Sequence, residues 1–282
     1  MKNLAALVLV PMILVAACSG ATSLVSGEDG RFADLDTADI EAAIASGDAY
    51  LAANTDSTPP LLLALIDYLH RAAPEFVDEP DLSALRELAE TDSQARVFLR
   101  VADPGVTTAS ADVEAQTDEV DVLTAPALYC DRFGLPADYA DRIERATATG
   151  GYELTHAGLA DAIAVELGCL TEDEIAPRSR RQTEALAALV LEAGPASDLG
   201  MEAIAILFFT GRAAAVEPEW ISEILAAELP GGGWANTPEP TGDQPANPHA
   251  TAMAIWALLG VLGADGDQAA ESFVAAVPTP GA

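Results

Sequence analysis

His249-Ala250-Thr251-Ala252-Met253-Ala254-Ile255-Trp256-Ala257-Leu258 is small or apolar at nearly every position. Coiled as a helix, it offers no polar stripe to water and must be enclosed by neighbours on nearly every side. Ala157 to Val165 has the same character. Two enclosed, alanine-rich helices imply a surrounding layer of others, which decides the fold class as all-α.

Working outward, each run follows a related layout. Gly150-Gly151-Tyr152 precedes Thr155-His156-Ala157, and Gly232-Gly233-Trp234 precedes Pro248-His249-Ala250 after a longer loop. A glycine pair permits a sharp reversal, and the aromatic after it is expected to plug the gap between helix ends. Other helices are expected at Ala137 to Ala146, Arg181 to Ala193, Leu199 to Arg212, Glu217 to Leu229 and Asp267 to Val277, with Ala125 to Phe133 at the start. Short connections carrying Gly or Pro favour antiparallel neighbours. Upstream, Asp36 or Thr37 caps a helix ending near Asn54, Pro59-Pro60 starts another over Leu61 to Ala73, and Asp81 opens a third.

Residues Asp103 to Thr124 break this pattern with Pro104-Gly105, six acids and no basic residue, the composition of a linker; an edge strand around Val113 is the weaker alternative. The expected organisation is therefore a signal segment (1–17), a tether (18–35), a small helical region (36–102), an acidic linker (103–124), a helical repeat domain (125–277) and a tail (278–282).

Gly231-Gly232-Gly233-Trp234 and the run from His249 to Leu258 resemble the α/α-toroid repeats of terpenoid cyclases, prenyltransferase β subunits and complement-type thioester domains. That resemblance implies a partial α/α toroid over about Ala125 to Leu262. The chain carries no Asp-x-Asp-Asp cluster, no Cys-Gly-Glu-Gln thioester and no prenyltransferase zinc set. The chemistry of those families is accordingly not carried over.

At the amino end, Lys2 precedes 14 uncharged residues, Leu4 to Ala17. That layout is a secretory signal, and it falls short of the roughly 20 apolar residues a spanning helix needs. Val15-Ala16-Ala17-Cys18 resembles the lipobox of bacterial lipoproteins. The resemblance implies cleavage before Cys18, a diacylglyceryl group on its sulfur and an acylated amino terminus; a plain signal with Cys18 as bystander is the alternative. One acyl chain holds marginally and two or three hold firmly. Localisation at the cell envelope follows, at the outer membrane if the cell has two, since Ser19 is not the retention aspartate of the family.

Beyond Cys18, 12 arginines and no lysine stand against 45 acids, a net of −33. A nucleic-acid partner is excluded. The acids are spread from Glu28 to Glu271, which fits adaptation to salty surroundings; a face for cations or basic partners is the alternative. Self-repulsion is screened by salt, so the melting temperature should rise from low to molar salt. A melting temperature indifferent to salt would contradict adaptation.

With Cys18 assigned to lipid, Cys130 and Cys169 remain. In an exported chain they are expected to form a disulfide, with a reactive or metal-ligating thiol as the alternative. His156 and His249 hold corresponding positions in the two repeats. They either converge on a polar ligand or a metal, zinc being the ion suited, with help from Asp161, Asp243 or Cys169, or they are helix-start histidines bonded to backbone. No cofactor is otherwise implied, and no Gly-x-Ser-x-Gly elbow or phosphate loop is present. Leu207-Phe208-Phe209 and Trp220 are expected in the core, with a groove for an apolar ligand as the alternative. The expected function is a lipid-anchored binding or scaffold module for an unknown protein or small molecule, the alternative being an enzyme with its site in the toroid cavity around His156 and His249.

Overall fold

Asp36 caps the first helix, its carboxylate accepting the Ala38 amide at 2.9 Å. This satisfies one of the amides that every helix start leaves unpaired. A computed structural model of the chain describes residues 30–237, 245–264 and 271–275. The signal segment, Cys18 and most of the tether lie outside the described residues. Among the described residues the chain is all helical, without a strand.

The amino-terminal helices are α1 (Thr37–Ala53), α2 (Leu62–Ala72), α3 (Ser83–Thr91) and α4 (Ser93–Phe98). Asp92 caps α4 by accepting the Ala95 amide at 2.8 Å. The stretch expected as an acidic linker is folded, with α5 (Ser110–Glu114) and α6 (Asp121–Leu128) inside or overlapping it. Val113 and Leu123 enter the core there, and the acids find partners: Asp112 pairs with Arg96 at 3.1 Å and Asp121 accepts from Gln94. A five-residue helix anchored by Val113 alone, and an eight-residue one that only half overlaps the stretch, leave no period to read there. The Val113 region is accordingly helix and not an edge strand.

The helix expected over Ala125 to Phe133 is divided between α6 and α7 (Cys130–Phe133). Next come α8 (Tyr139–Thr149), α9 (Gly151–Glu166), α10 (Glu172–Ala193), α11 (Asp198–Phe209), α12 (Pro218–Ala226) and α13 (Pro248–Ala264). α10 begins well before the expected Arg181 because Thr171 and Glu174 form a reciprocal capping box, and the helix runs through Pro177. Of the helix expected over Asp267 to Val277, residues 271–275 are described and are non-helical. They form a strap: Arg71 donates to the carbonyls of Ser272 and Phe273 at 2.8 and 3.0 Å, and Glu166 accepts the amides of Phe273 and Val274. Phe273 joins Tyr68, Phe209 and Trp256 in an aromatic cluster.

α11 and α13 form the centre. α11 packs on α13, α10 and α9, α9 also packs on α6 and α8, and α1 lies against α13. Every residue from Ala250 to Leu258 is buried, as the run without a polar stripe requires. Gly200 lets α11 start hard against the preceding turn, since a Cβ there would stand 2.1 Å from the Gly194 carbonyl oxygen. One continuous core runs from Phe32 to Val274, so the amino-terminal helices share it with the carboxy-terminal ones. Cys130 and Cys169 are joined by a disulfide, with Cα atoms 6.0 Å apart. No helix among the described residues is long and apolar enough to cross a membrane.

Candidate functional site

Both glycine pairs turn as their sequence implies, but the aromatics after them diverge. Gly150 and Gly151 have φ of 83° and 60°, and Gly232 and Gly233 have 82° and 76°, a region L side chains rarely adopt. Trp234 is fully buried and donates its indole N–H to the Ile224 carbonyl at 2.7 Å, filling the gap as expected. Tyr152 does not plug a gap. It lies within the first turn of α9, is 43% exposed, and donates its hydroxyl to Asp198 at 2.5 Å. The reason is connection length: α9 begins immediately at its glycine pair, whereas a long loop separates Trp234 from α13.

Asn247 sets the start of α13, its side-chain oxygen accepting the amides of His249 and Ala250 at 2.8 and 3.2 Å. This places the His249 ring over the start of α11. There Asp198 occupies the first turn, where a carboxylate is favoured by the helix dipole, and Ser197 caps by accepting the Gly200 amide at 3.0 Å. His249 Nδ1 meets Asp198 Oδ1 at 2.7 Å. Burial raises the Asp198 carboxyl, but the hydrogen bond and charge of His249 and the Tyr152 hydroxyl outweigh it and hold the group below its ordinary range. Burial lowers His249, yet the hydrogen bond to Asp198 and the charges of Glu202 and Asp198 prevail and raise it. For Tyr152, burial first and then Asp198 push the phenol well up, so it remains a donor.

One turn along α11, Glu202 is 4% exposed and lies between the two histidines. His156 Nε2, from the second turn of α9, stands 3.6 Å from Glu202 Oε1, and His249 Nε2 stands 3.8 Å from Oε2. Oε1 accepts the Thr155 hydroxyl. Oε2 is buried without a hydrogen-bond partner, as is His156 Nδ1.

These side chains open on a pocket of about 790 Å³ lined by Tyr152, His156, Glu202 and His249, with Asp118, Glu119 and Glu153 also on its wall. Its charged lining is acidic apart from the histidines. Arg142 and Arg145 line a smaller adjoining hollow of about 360 Å³ that shares Glu119 and Glu153.

The two histidines thus face one carboxylate, but none of the helpers named from sequence supplies it. Asp161 is held by Arg178 at 2.7 and 2.9 Å and by Gln182 at 3.2 Å, Cys169 is in the disulfide, and Asp243 lies outside the described residues. Glu202 and Asp198 take the role. Among the described residues no three His, Cys, Asp or Glu side chains stand as a ready-made set of metal ligands. Sequence reasoning missed both acids because α11 was assigned to the core. The available signal was two acids four residues apart, Asp198 and Glu202, on an otherwise apolar helix. Phe208, Phe209 and Trp220 pack with the core, as expected.

No protein-family model, curated protein or solved structure matches the chain.

Proposed function

We propose that the chain is a cell-envelope lipoprotein, anchored through Cys18, whose helical body binds a small cationic ligand in the pocket between α9, α11 and α13. The observation that carries this is Glu202, a carboxylate sunk between two imidazoles with Oε2 making no hydrogen bond, in a pocket whose other charged lining residues are acids. An unpaired buried acceptor costs about 1–3 kcal/mol, and a cation would offset that cost. The lipobox and the signal layout support the anchor, and repeated helix pairs offer a concave surface without requiring a catalytic set.

Melting temperatures of the Cys18→Ser chain test the pocket against a panel of divalent metal ions, alkylamines and polyamines at matched ionic strength. A ligand at 100 times its Kd adds about 2.7 kcal/mol, which for a chain of this size is about 5 °C or more. At least one class should give this shift in Cys18→Ser and not in Cys18→Ser/Glu202→Gln; no shift from any member would overturn the reading. Incorporation of labelled palmitate tests the anchor, with label expected on the wild type and lost in Cys18→Ser.

An enzyme is the second reading, favoured by the contact between His249 and Asp198, because an imidazole oriented by a carboxylate is suited to proton transfer. A bound organic ligand recovered chemically altered after incubation would favour it.

A further inference from the structure

We infer that the ligand is a linear diamine or polyamine, bound with one ammonium on Glu202 inside the pocket and a second among Asp118, Glu119 and Glu153 toward its mouth. This rests on the cation-pocket reading and narrows it. Glu202 Oε1 already accepts the Thr155 hydroxyl. Oε2 is buried, makes no hydrogen bond and stands 3.8 Å from His249 Nε2, too far for one. A primary ammonium is all donor and accepts nothing, so it supplies what Oε2 lacks.

The carboxylates of this pocket lie at two depths. Glu202, on α11, is 4% exposed. Asp118 and Glu119, in the segment between α5 and α6, are exposed, and Glu153, in the first turn of α9, is half-buried. A compact cation can neutralise one of these places and leaves the other, whereas a short chain with an amine at each end reaches both. A pocket of about 790 Å³ has room for it. No arginine lines the pocket. Arg142 and Arg145 share the neighbouring hollow with Glu119 and Glu153, but Arg142 is engaged by Asp138 at 3.0 Å, and among the described residues neither arginine forms an ion pair with those two glutamates.

The preference for a cation does not depend on the state of either imidazole. Asp118, Glu119, Glu153 and Glu202, with Asp198 behind His249, outnumber the two histidines, so the site is negative whether or not the rings carry a proton. A metal ion needs donors that converge on one point, and the acids here are dispersed over the wall of a wide pocket. An organic dication carries its charges several bonds apart, which is the arrangement that dispersed acids can use. General attraction to an acidic surface is common to every cation; dependence on Glu202 is what marks this site.

The test is calorimetric titration of putrescine, spermidine and butylamine into the Cys18→Ser chain at matched ionic strength, with magnesium and zinc chlorides beside them. Putrescine should bind with one equivalent and about tenfold more tightly than butylamine, since an exposed ion pair adds about fivefold at most and several mouth acids act together. Glu202→Gln keeps the acceptor for Thr155 and should weaken both amines about 10–100-fold. Asp118→Asn/Glu119→Gln/Glu153→Gln, at exposed or half-buried positions, should remove the advantage of putrescine and leave butylamine within about twofold, because screening limits its attraction to distant charges. If putrescine binds no more tightly than butylamine, if the triple variant keeps its advantage, or if only a metal ion binds in a Glu202-dependent way, the diamine assignment falls and the cation pocket stands. If Glu202→Gln, folded by its melting curve, binds putrescine equally well, or if nothing binds the parent chain, both fall.

Discussion

Arg178→Ala should cost the folded chain about 3–5 kcal/mol, because it leaves a carboxylate stranded in the interior. Asp161, on α9, is 1% exposed, and the Arg178 guanidinium from α10 grips it with two hydrogen bonds, Nε to Oδ2 at 2.7 Å and Nη2 to Oδ1 at 2.9 Å. Gln182 adds a third from one turn further along α10, at 3.2 Å. The arginine side chain is itself nearly enclosed, at 11% exposure. With the guanidinium gone, the Gln182 amide remains as a donor but carries no charge to offset that of Asp161. The pair should behave as a unit. Asp161→Leu/Arg178→Met removes both charges and keeps most of the volume, so it should be substantially more stable than Arg178→Ala, since an apolar replacement of a buried pair is often neutral. Urea unfolding of the parent and both variants would check this. A cost below about 1 kcal/mol for Arg178→Ala would mean that solvent reaches Asp161.

Replacing Cys130 and Cys169 together by alanine should cost about 4 kcal/mol. The bridge joins residues 39 apart in sequence, tying α7 to the turn after α9. A closed loop of that size removes conformations from the unfolded chain, the main source of the stabilisation in the chain-entropy model. Cys130 is 4% exposed, and alanine conserves its small apolar side chain, so little packing is lost with the sulfur. Reducing the disulfide in the native protein should give the same loss as the double substitution, apart from the packing of two sulfurs. Guanidinium unfolding with and without reductant measures both, and a difference under about 1 kcal/mol would show that the unfolded chain is already restricted there. The bridge also steadies α9, which carries His156, so its removal should loosen the pocket before the aromatic cluster around Phe273.

The helical class, the two enclosed helices and the pairing of the last two cysteines were legible in the sequence, because each depends on composition or on a count along the chain. An alanine-rich run without a polar stripe can only be buried, wherever it is buried. That His156 and His249 come to one place was also legible, from their matching positions after the glycine turns. What brings them together was not. Glu202 and Asp198 lie 42 to 51 residues from the two histidines, on a helix whose apolar character marked it as core, and only packing of α11 against both α9 and α13 brings that helix's acids to the histidines.

The acidic stretch from Asp103 to Thr124 reads as unfolded because its few apolar residues are scattered, and it folds because Val113 and Leu123 find a core supplied by other parts of the chain. Tyr152 and Trp234 are alike by local pattern and opposite in fate, one turned toward Asp198 and the other sealed inside. Local sequence determined which segments coil and which faces must be hidden, since helix formation and burial depend on side chains a few positions apart. Tertiary structure alone decided which polar groups meet, since that depends on the contact of helices distant in the chain.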